Sequence, residues 1–374
     1  MTRRALLASA ALSAATQKFR AVIIGHTGAG NYGHDWDTSF AGFSNIEVLA
    51  VADTVEAGRA KAQARSKAPR AYADYREMIA KEKPNLVAIC PRSLGERLDM
   101  FTAAANAGAH IVMEKPFAKD LREADQMVAL AEKNRIKVQV GHTARPTPFT
   151  LRVKKLLDEG HIGVLMEMRA RGKEDKRAGG EDMMVLGTHL FDLMRFFAGD
   201  PLWATGHVTH KGRDITKADA RQATEPLGAI AGDEIAATYL FPNNVHGYFA
   251  SRPSDATTGD RFGITLHGSK GSIFVPTTSV PGGPPNVLLS RSWASGEWKQ
   301  VPRAQEDPSD HRGSANTMMV ADLLDAIAAG REPVCNHRDG RWTIEMTLAV
   351  YDSHLRGGAR VTFPMANRRH PLEA

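Results

Sequence analysis

The sequence has 374 residues, of which 43% are hydrophobic and 24% are charged, a composition typical of a folded protein with more than one hydrophobic core. Its 48 basic and 42 acidic residues are spread along the chain, and no element clusters Arg and Lys with aromatic residues, which argues against nucleic-acid binding. The two cysteines, Cys90 and Cys335, indicate neither a disulfide framework nor a zinc site, and we expect no metal.

The first residues resemble an export signal. Arg3 and Arg4 precede an uncharged stretch, rich in alanine and leucine, that ends in small residues near Ala15. This pattern predicts a twin-arginine signal over residues 1–18 and a periplasmic or exported protein. A short N-terminal arm on a cytoplasmic protein is the alternative. At about 11 apolar or small residues the stretch is too short for a stable membrane span.

Short apolar runs alternate with helical stretches from residue 19 to residue 141. This alternation predicts an α/β domain with a doubly wound parallel sheet, buried on both faces and connected by right-handed crossovers. The domain is therefore expected to have the Rossmann architecture. Its predicted strands are 21–24, 46–52, 71–72, 86–90, 110–113 and 137–140, and its predicted helices are 56–68, 75–81, 98–107 and 121–134.

The pattern changes after Gly141, where apolar and polar residues alternate with a period of two. Such alternation predicts antiparallel strands with one covered face, so residues 142–374 are expected to form a second α/β domain. It leaves open whether the last helix and strand pack back on the first domain. The predicted strands are 164–171, 203–210, 234–241, 245–251, 262–267 and 360–363, the helices are 181–198, 315–329 and 341–355, and 276–285 is a loop.

A glycine-rich turn follows the first predicted strand. Gly25 ends the strand, and Gly28, Gly30 and Gly33 form the pattern G-x-G-x-x-G. Glycine permits positive φ and a close approach to a pyrophosphate, whose charge then faces the N-terminus of the next helix. We therefore predict a dinucleotide site, although the motif starts later than usual and Gly25 with Gly28 is an alternative operative pair.

An acidic residue, Asp53, ends the second predicted strand. A carboxylate in this position accepts hydrogen bonds from the ribose hydroxyls of NAD and repels the 2′-phosphate of NADP. We therefore predict NAD as the cofactor. The basic residues Arg59 and Lys61 lie close by in the sequence and keep NADP open as the less favoured choice.

The segment Glu114-Lys115-Pro116 follows the predicted strand 110–113 directly. This position is the carboxyl edge of the parallel sheet, where open α/β folds bind ligands, and the proline allows a cis peptide. A lysine there can hold a substrate hydroxyl and accept its proton during hydride transfer. A surface lysine that merely follows a strand is the alternative.

Together these motifs resemble the family of glucose-fructose oxidoreductase, inositol dehydrogenase and MocA-like proteins, written Gfo/Idh/MocA. The resemblance covers the chain from Phe19 to Leu372 and implies NAD(P)-dependent chemistry on carbohydrate hydroxyls. It also implies a large, open, mostly antiparallel sheet in the second domain, through which we expect a homodimer or homotetramer to form. Further motifs that carry it are Tyr75-Arg76-Glu77, Lys83-Pro84, Gly141 with Arg145, Gly160-His161-Ile162-Gly163 and Val361-Thr362-Phe363-Pro364.

The family's second catalytic segment reads G-G-x-x-x-D-x-G-x-H. Gly187-Thr188-His189 fits its end, but Val185 occupies the aspartate position. The resemblance implies that His189 assists Lys115 in handling the proton. Asp182 lies seven residues before His189, on the same face of a continuous helix. It either replaces the missing carboxylate or is an ordinary acid at a helix N-terminus.

The predicted site combines these residues with a few others. Cofactor contacts are expected from Gly25, Gly28, Gly30, Asn31, Gly33, Asp53, Pro91, Glu114 and Lys115. Substrate contacts are expected from Lys115, His142, Arg145, Arg171, Asp182 and His189, since many basic residues suit an acidic or heavily hydroxylated ligand.

The function that follows is hydride transfer between a sugar or polyol carbon and nicotinamide. If the protein is exported, free nucleotide is scarce around it. NAD must then be tightly bound and the hydride returned within the cycle. That condition predicts coupled oxidation and reduction of two sugars, epimerisation, or NAD-assisted glycoside cleavage as alternatives. The Val185 replacement leaves a third hypothesis open, a nucleotide-bound sugar-binding protein without turnover.

Overall fold

A computed structural model describes residues 17–254, 262–276, 289–301 and 314–373, and the chain divides into two compact units. Of the described residues, the first unit contains 17–146, 225–228 and 314–341, and the second contains 147–224, 229–254, 262–276, 289–301 and 342–373. Residues 1–16 of the expected export signal and residues 277–285 of the expected loop lie outside the described residues. Within the described parts of the chain, no helix is both long and apolar enough to cross a membrane.

The first unit is built on a six-stranded parallel sheet. Its strands are β1 (Phe19–Ile24), β2 (Ile46–Ala52), β3 (Arg70–Tyr72), β4 (Leu86–Ile89), β5 (His110–Met113) and β6 (Val138–Val140). They lie in the order β3-β2-β1-β4-β5-β6, so the direction of winding reverses between β1 and β4. Nearly every residue of β1, β4 and β5 is buried, because helices cover both faces. The structure confirms the predicted doubly wound sheet.

Four crossover helices connect these strands, and their ends follow local chemistry. Asp74 and Asp120 cap two of them, each accepting a hydrogen bond from a backbone N–H of the first turn. Lys83 and Arg135 adopt the left-handed conformation that ends the same two helices. The helices are α1 (Glu56–Ser66), α2 (Tyr75–Glu82), α3 (Arg97–Asn106) and α4 (Leu121–Asn134).

A segment from late in the sequence also belongs to the first unit. The expected division of the chain into domains 19–141 and 142–374 is therefore not the one observed. Residues 314–341 belong to the first unit, and the helix Ala315–Ala329 packs on β5 and β6. Gln139 of β6 donates to Asp322 of this helix at 3.3 Å, and Asp322 also accepts from the backbone N–H of Val334 at 2.6 Å. The last strand of the chain, by contrast, joins the second unit.

A ten-stranded sheet forms the core of the second unit. Its strands are β7 (Leu165–Arg171), β8 (Trp203–His210), β9 (Arg213–Asp214), β12 (Glu234–Phe241), β13 (Val245–Ser251), β14 (Gly263–Gly268), β15 (Gly271–Pro276), β16 (Leu289–Ser292), β17 (Trp298–Gln300) and β18 (Val361–Thr362), while β10 (Arg221–Gln222) and β11 (Ala229–Ile230) pair separately. The order is β17-β16-β15-β14-β7-β13-β12-β8-β18, with β9 beside β8. Only β7 and β13 pair in parallel among these described strands, which confirms a mostly antiparallel sheet.

Helices cover one face of this sheet. Phe191 packs against Tyr239 and Phe249 of the central strands, with ring centroids 5.4 and 5.0 Å apart. Buried and partly exposed residues alternate along β12 and β13, as expected when only one face is covered. The helices of the second unit are α5 (Pro148–Asp158), α6 (Gly180–Asp182), a π-helical segment (Met183–Gly187) and α7 (Thr188–Ala198). Further along the chain, α8 (Ala315–Ala329) belongs to the first unit, and α9 (His337–Leu355) begins in the first unit and continues into the second. Helix α5 and strands β9, β10, β11, β15, β16 and β17 were not predicted from the sequence.

Candidate functional site

The glycine-rich turn lies at the carboxyl end of β1. Gly28, Gly30 and Gly33 all have positive φ, at 88°, 94° and 59°. Asn31 also has positive φ, at 52°, and its side-chain oxygen accepts a hydrogen bond from the backbone N–H of Gly28 at 3.1 Å. The motif therefore has the backbone conformation for which glycine was expected.

The turn packs against the loops that follow the neighbouring strands. A Cβ atom on Gly30 would lie 2.3 Å from the backbone nitrogen of Arg92, in the loop after β4. A Cβ atom on Gly33 would lie 2.5 Å from Cγ of Glu114, just after β5. Since a side chain at either glycine would collide with these neighbours, the turn, the β4 loop and Glu114 form one close-packed cradle at the carboxyl edge of the parallel sheet.

No α-helix follows the turn within the described segment 25–45. A three-residue 3₁₀-helix, Trp36–Thr38, stands there instead, and the first α-helix is α1. Positive φ at Asn31, Gly33 and Asp35 interrupts helical geometry in this stretch. No α-helix therefore begins directly beside the turn within residues 25–45, and the binding of a pyrophosphate there stays a prediction.

Asp53 follows β2 and is buried against the same turn. Its carboxylate accepts hydrogen bonds from the backbone N–H of Thr27 at 3.0 and 3.1 Å and from the Thr27 hydroxyl at 2.7 Å. The main-chain carbonyl of Asp53 accepts from Arg59 at 2.6 Å, so this arginine is engaged by the backbone. Asp53 thus both shapes the turn and borders a pocket of about 160 Å³ whose lining includes His26, Asp74, Tyr75 and Arg76.

Tyr32 is a site residue that the sequence analysis missed. Its ring lies against Gly25 so closely that a Cβ atom on this glycine would be 2.1 Å from the ring. Burial, followed by the nearby Asp53 carboxylate, raises the pKa of the Tyr32 hydroxyl. Gly25 is therefore needed for the packing of this ring, a role that a glycine pattern alone does not reveal.

Glu114 and Lys115 are both buried at the carboxyl end of β5, and the Lys115–Pro116 peptide is cis. One oxygen of Glu114 accepts the backbone N–H of Lys115 at 2.7 Å, and the other hydrogen-bonds Nδ1 of His34. Burial alone would raise the pKa of this carboxyl, but the His34 hydrogen bond and the Lys115 charge outweigh it, and the pKa is lowered. Glu114 is thus a buried carboxylate held ionised beside the lysine.

Three further predicted residues lie in the first unit. The carbonyl of Pro91 accepts a hydrogen bond from Arg97 at 2.5 Å. His142 is buried, with its Nδ1 3.4 Å from Sγ of Cys335. Arg145 is also buried, donating to the Val334 carbonyl at 2.9 Å and lying 3.3 Å from Asp339. Both His142 and Arg145 therefore contact the segment 334–339 that precedes and begins α9.

Asp182 belongs to the second unit and holds a turn. Its two oxygens accept the backbone N–H groups of Lys173 at 3.2 Å and Glu174 at 3.1 Å, and the Ser251 hydroxyl donates to it at 2.6 Å. Burial raises its pKa, an effect that these hydrogen bonds partly offset. Arg171, the adjacent predicted substrate residue, pairs with Glu174 at 3.0 Å. These contacts favour a structural role for Asp182 over the role of a replacement catalytic carboxylate.

The helix that carries His189 is not continuous with Asp182. The π-helical segment, Met183–Gly187, includes Val185 and separates α6 from α7. Because a π-helix has more residues per turn than an α-helix, side chains seven apart across it do not share one face. The expectation of a common face for Asp182 and His189 is therefore wrong. His189 itself is partly buried in the first turn of α7.

Comparisons with known proteins agree with this architecture. Residues 19–142 match the oxidoreductase family with an NAD-binding Rossmann fold, and residues 150–274 match the GFO/IDH/MocA C-terminal domain. The chain is 24% identical to D-apiose dehydrogenase of Paraburkholderia graminis, over 93% of this chain and 90% of that protein.

Other curated relatives match over a shorter span. The chain is 27% identical to the uncharacterized oxidoreductase YrbE of Bacillus subtilis over 48% of its length, and 24% identical to levoglucosan dehydrogenase of Pseudarthrobacter phenanthrenivorans over 54%. These matches span about half of each relative, 54% and 57% respectively.

Solved structures share the fold. A levoglucosan dehydrogenase in complex with NADH superposes with a TM-score of 0.75 at 20% identity, covering 93% of this chain and 100% of that one. The aldose-aldose oxidoreductase of Caulobacter crescentus, complexed with glycerol, superposes with a TM-score of 0.73 at 19% identity and the same coverage. The two-unit architecture is thus shared with proteins of low sequence identity.

Proposed function

The chain belongs to the GFO/IDH/MocA family of oxidoreductases, and from this membership we propose that it transfers a hydride between a hydroxyl-bearing carbon of a sugar or polyol and NAD. The observation that carries the proposal is the packing of Gly33, in the glycine-rich turn, directly on Glu114, the neighbour of Lys115. This packing joins the glycine-rich turn to the segment of the buried lysine at one edge of the parallel sheet, which supports a nucleotide site beside a base. The names of the relatives that act on levoglucosan and D-apiose support the substrate class.

The proposed division of labour follows from the chemistry of alcohol oxidation. A bound NAD would supply the acceptor for the hydride of the carbon, and the hydroxyl proton would need a base within hydrogen-bonding distance. Lys115 supplies that base, and the buried carboxylate of Glu114 holds the backbone N–H of Lys115 in place. His189 of the second unit is proposed as an assisting proton-handling group, with His142, Arg145 and Arg171 as supporting residues. Asp182 is left with its structural role.

We propose NAD rather than NADP as the cofactor. Two carboxylates, Asp53 and Asp74, line the small pocket beside the turn, and they would repel a 2′-phosphate. Arg76 lines the same pocket and is the residue that would favour the phosphate. Equilibrium titration of the purified chain with NADH and NADPH is expected to give at least a roughly tenfold tighter dissociation constant for NADH. Equal affinities would contradict the assignment.

A pair of lysine variants tests the catalytic assignment. Lys115→Met is expected to lower the turnover of an accepted sugar by about 100-fold or more, because it removes the general base. The affinity for NADH should stay within about threefold of the original. Lys137→Met is the matched control, since Lys137 precedes β6 at the opposite edge of the sheet and pairs with Glu332 at 2.7 Å. Turnover that survives the Lys115 change would refute the assignment.

A second candidate function returns the hydride within one catalytic cycle. It is favoured by the twin-arginine pattern near Arg3 and Arg4 and by the shared fold with an aldose-aldose oxidoreductase. Purified protein would then release NAD on denaturation, yet form no net NADH with any single sugar. Product analysis with mixed or isotopically labelled sugars separates coupled oxidation and reduction from epimerisation or glycoside cleavage. If no sugar is converted under any condition, the sugar-binding hypothesis without turnover replaces both.

Export and assembly are proposals of their own. A reporter fused after residue 18 should reach the periplasm only with Arg3 and Arg4 intact, whereas retention of the intact fusion in the cytoplasm would refute export.

We also propose that two or four copies associate through the exposed face of the ten-stranded sheet. That face carries a trough of about 840 Å³ lined partly by Arg169, His207 and Tyr248. Light scattering after chromatography should give a dimer or tetramer, and Tyr248→Glu should shift it toward the monomer.

A further inference from the structure

Arg97 is a fully buried arginine at the start of α3, outside the residues identified above as site residues. Its Nη1 donates hydrogen bonds to the carbonyl of Glu114 and, at 3.0 Å, to the carbonyl of Pro116. Its Nη2 donates to the carbonyl of Pro91 at 2.5 Å and to that of Ser93 at 3.5 Å. One guanidinium thus holds main-chain carbonyls from both loops that follow β4 and β5.

This arrangement is costly for a cation. In the described parts of the chain, no carboxylate lies within ion-pair distance of Arg97, although the more distant Glu114 charge attracts it. Burial lowers its pKa to about 10. It also occupies the first turn of α3, where the helix dipole disfavours positive charge. A packed apolar residue would avoid all three costs, so the presence of a guanidinium needs another reason.

The positions of the carbonyls that Arg97 binds explain why a guanidinium is present there. Two of them, in Glu114 and Pro116, stand on either side of Lys115 in the sequence. The other two belong to the loop against which Gly30 packs. A single side chain therefore links the backbone of the proposed catalytic lysine to the loop that contacts the glycine-rich turn.

We propose that Arg97 is a positioning residue, which fixes Lys115 relative to the nucleotide cradle by holding the backbone on both sides of it. The inference rests on the proposed function of Lys115. It does not place Arg97 in contact with substrate or cofactor. The planar fork of arginine reaches several carbonyls at once, whereas the ammonium of lysine is a single point of donation. Arg97→Lys therefore keeps the charge and removes the fork.

The experiment compares Arg97→Lys and Arg97→Met with Met127→Ala in the full-length protein. Met127 is buried in α4 of the same unit and lies outside both loops in the sequence, and its truncation is expected to lower stability. The measurements are the melting temperature, the NADH dissociation constant, kcat and KM for an accepted sugar, and amide hydrogen exchange. The informative amide is that of Lys115, which donates to the Glu114 carboxylate.

Arg97→Lys should lower kcat by about 30- to 100-fold, because a displacement of about 1 Å at a catalytic group costs that much in rate. NADH affinity should change by less than about threefold. The Lys115 amide should exchange at least about tenfold faster, while amides within α4 keep their protection. Met127→Ala should lower the melting temperature but leave kcat within about threefold.

Two results would overturn the inference. The first is a kcat in Arg97→Lys close to the original value, or a loss of kcat that Met127→Ala reproduces at an equal drop in melting temperature. The second is unchanged exchange of the Lys115 amide in both Arg97 variants. If the unmodified protein converts no sugar, the proposed function fails by itself, and the exchange measurement still decides whether Arg97 holds the Lys115 backbone.

Discussion

Substitution of two glycines in the same turn separates backbone strain from close packing. Gly28 and Gly30 have nearly the same φ, 88° and 94°. A Cβ atom on Gly28 would meet nothing within 4 Å, whereas one on Gly30 would lie 2.3 Å and 2.6 Å from the backbone nitrogens of Arg92 and Ser93. Gly28→Ala is therefore the matched control for Gly30→Ala.

The expected magnitudes follow from this difference. A Cβ atom at positive φ costs about 1–2 kcal/mol in either variant. Gly30→Ala also overpacks the backbone of the neighbouring loop, which adds about 1–3 kcal/mol. We expect the free energy of unfolding of the first unit to fall by about 1–2 kcal/mol in Gly28→Ala and by about 2–5 kcal/mol in Gly30→Ala.

Urea unfolding monitored by the fluorescence of Trp36 measures this effect, because Trp36 is buried in the first unit. The same samples are titrated with NADH, and Gly30→Ala should also weaken binding more than Gly28→Ala, since it displaces the loop that forms one wall of the cradle. Equal losses of unfolding free energy in the two variants would refute the close approach. A larger loss in Gly28→Ala would refute it as well.

Three other predictions concern single side chains. The pKa of His110 is lowered by burial to about 4, from an ordinary value of 6.5, and its Nδ1 accepts the backbone N–H of Lys137. The unfolded chain therefore binds more protons between these values, and about 3 kcal/mol of stability, complete above pH 6.5, is lost as the pH falls to about 4. His110→Gln should flatten this part of the pH profile in urea unfolding. Asp182→Ala should cost about 2–4 kcal/mol of unfolding free energy, because it leaves two backbone N–H groups and Ser251 without their acceptor. Its turnover per folded molecule should stay within about threefold. Asp53→Ser should shift the ratio of NADH to NADPH affinity by about tenfold toward NADPH.

Each of these has an opposing outcome. A His110→Gln variant whose stability falls between pH 6.5 and 4 as steeply as the original would show that another group titrates there. A stable Asp182→Ala variant without turnover would restore the catalytic assignment made from the sequence. An unchanged nucleotide ratio in Asp53→Ser would leave the carboxylate with only its hydrogen bonds to Thr27 and to the backbone N–H of Val55.

The fold was predictable wherever burial is uniform along an element. Strands β1, β4 and β5 are short Val, Ile and Leu runs that both neighbouring helical layers cover, so the apolar run alone identified them. Strands β16 and β17 were missed because they carry charged and tryptophan residues at the rim of the sheet, with no covered face to impose alternation. The π-helical segment was missed because its apolar residues, such as Met184 and Val185, suit an α-helix equally well.

The site was predictable to the extent that its residues are adjacent to strand ends. Glu114, Lys115 and Asp53 each follow a buried strand, and the parallel sheet places such residues at one edge. The structural roles of Asp182 and Arg97 were not predictable, because their partners are main-chain groups distant in the sequence or folded onto them by turns. Main-chain N–H and C=O groups are the same in nearly all residue types, so the sequence does not show which of them will be the partners. Only the folded chain identifies them.

Helix α8 belongs to the first unit but is translated long after the strands on which it packs, and this order matters for biosynthesis. When a ribosome has released the first 146 residues, the parallel sheet can form, but the helix that packs on β5 and β6 has not been translated. Apolar side chains of these strands, such as Val112 and Val138, then lack part of their cover until residue 329 has emerged. A gene fragment that stops at residue 146 is therefore expected to yield an aggregating product, and a tether joining residues 314–341 to it is expected to restore solubility.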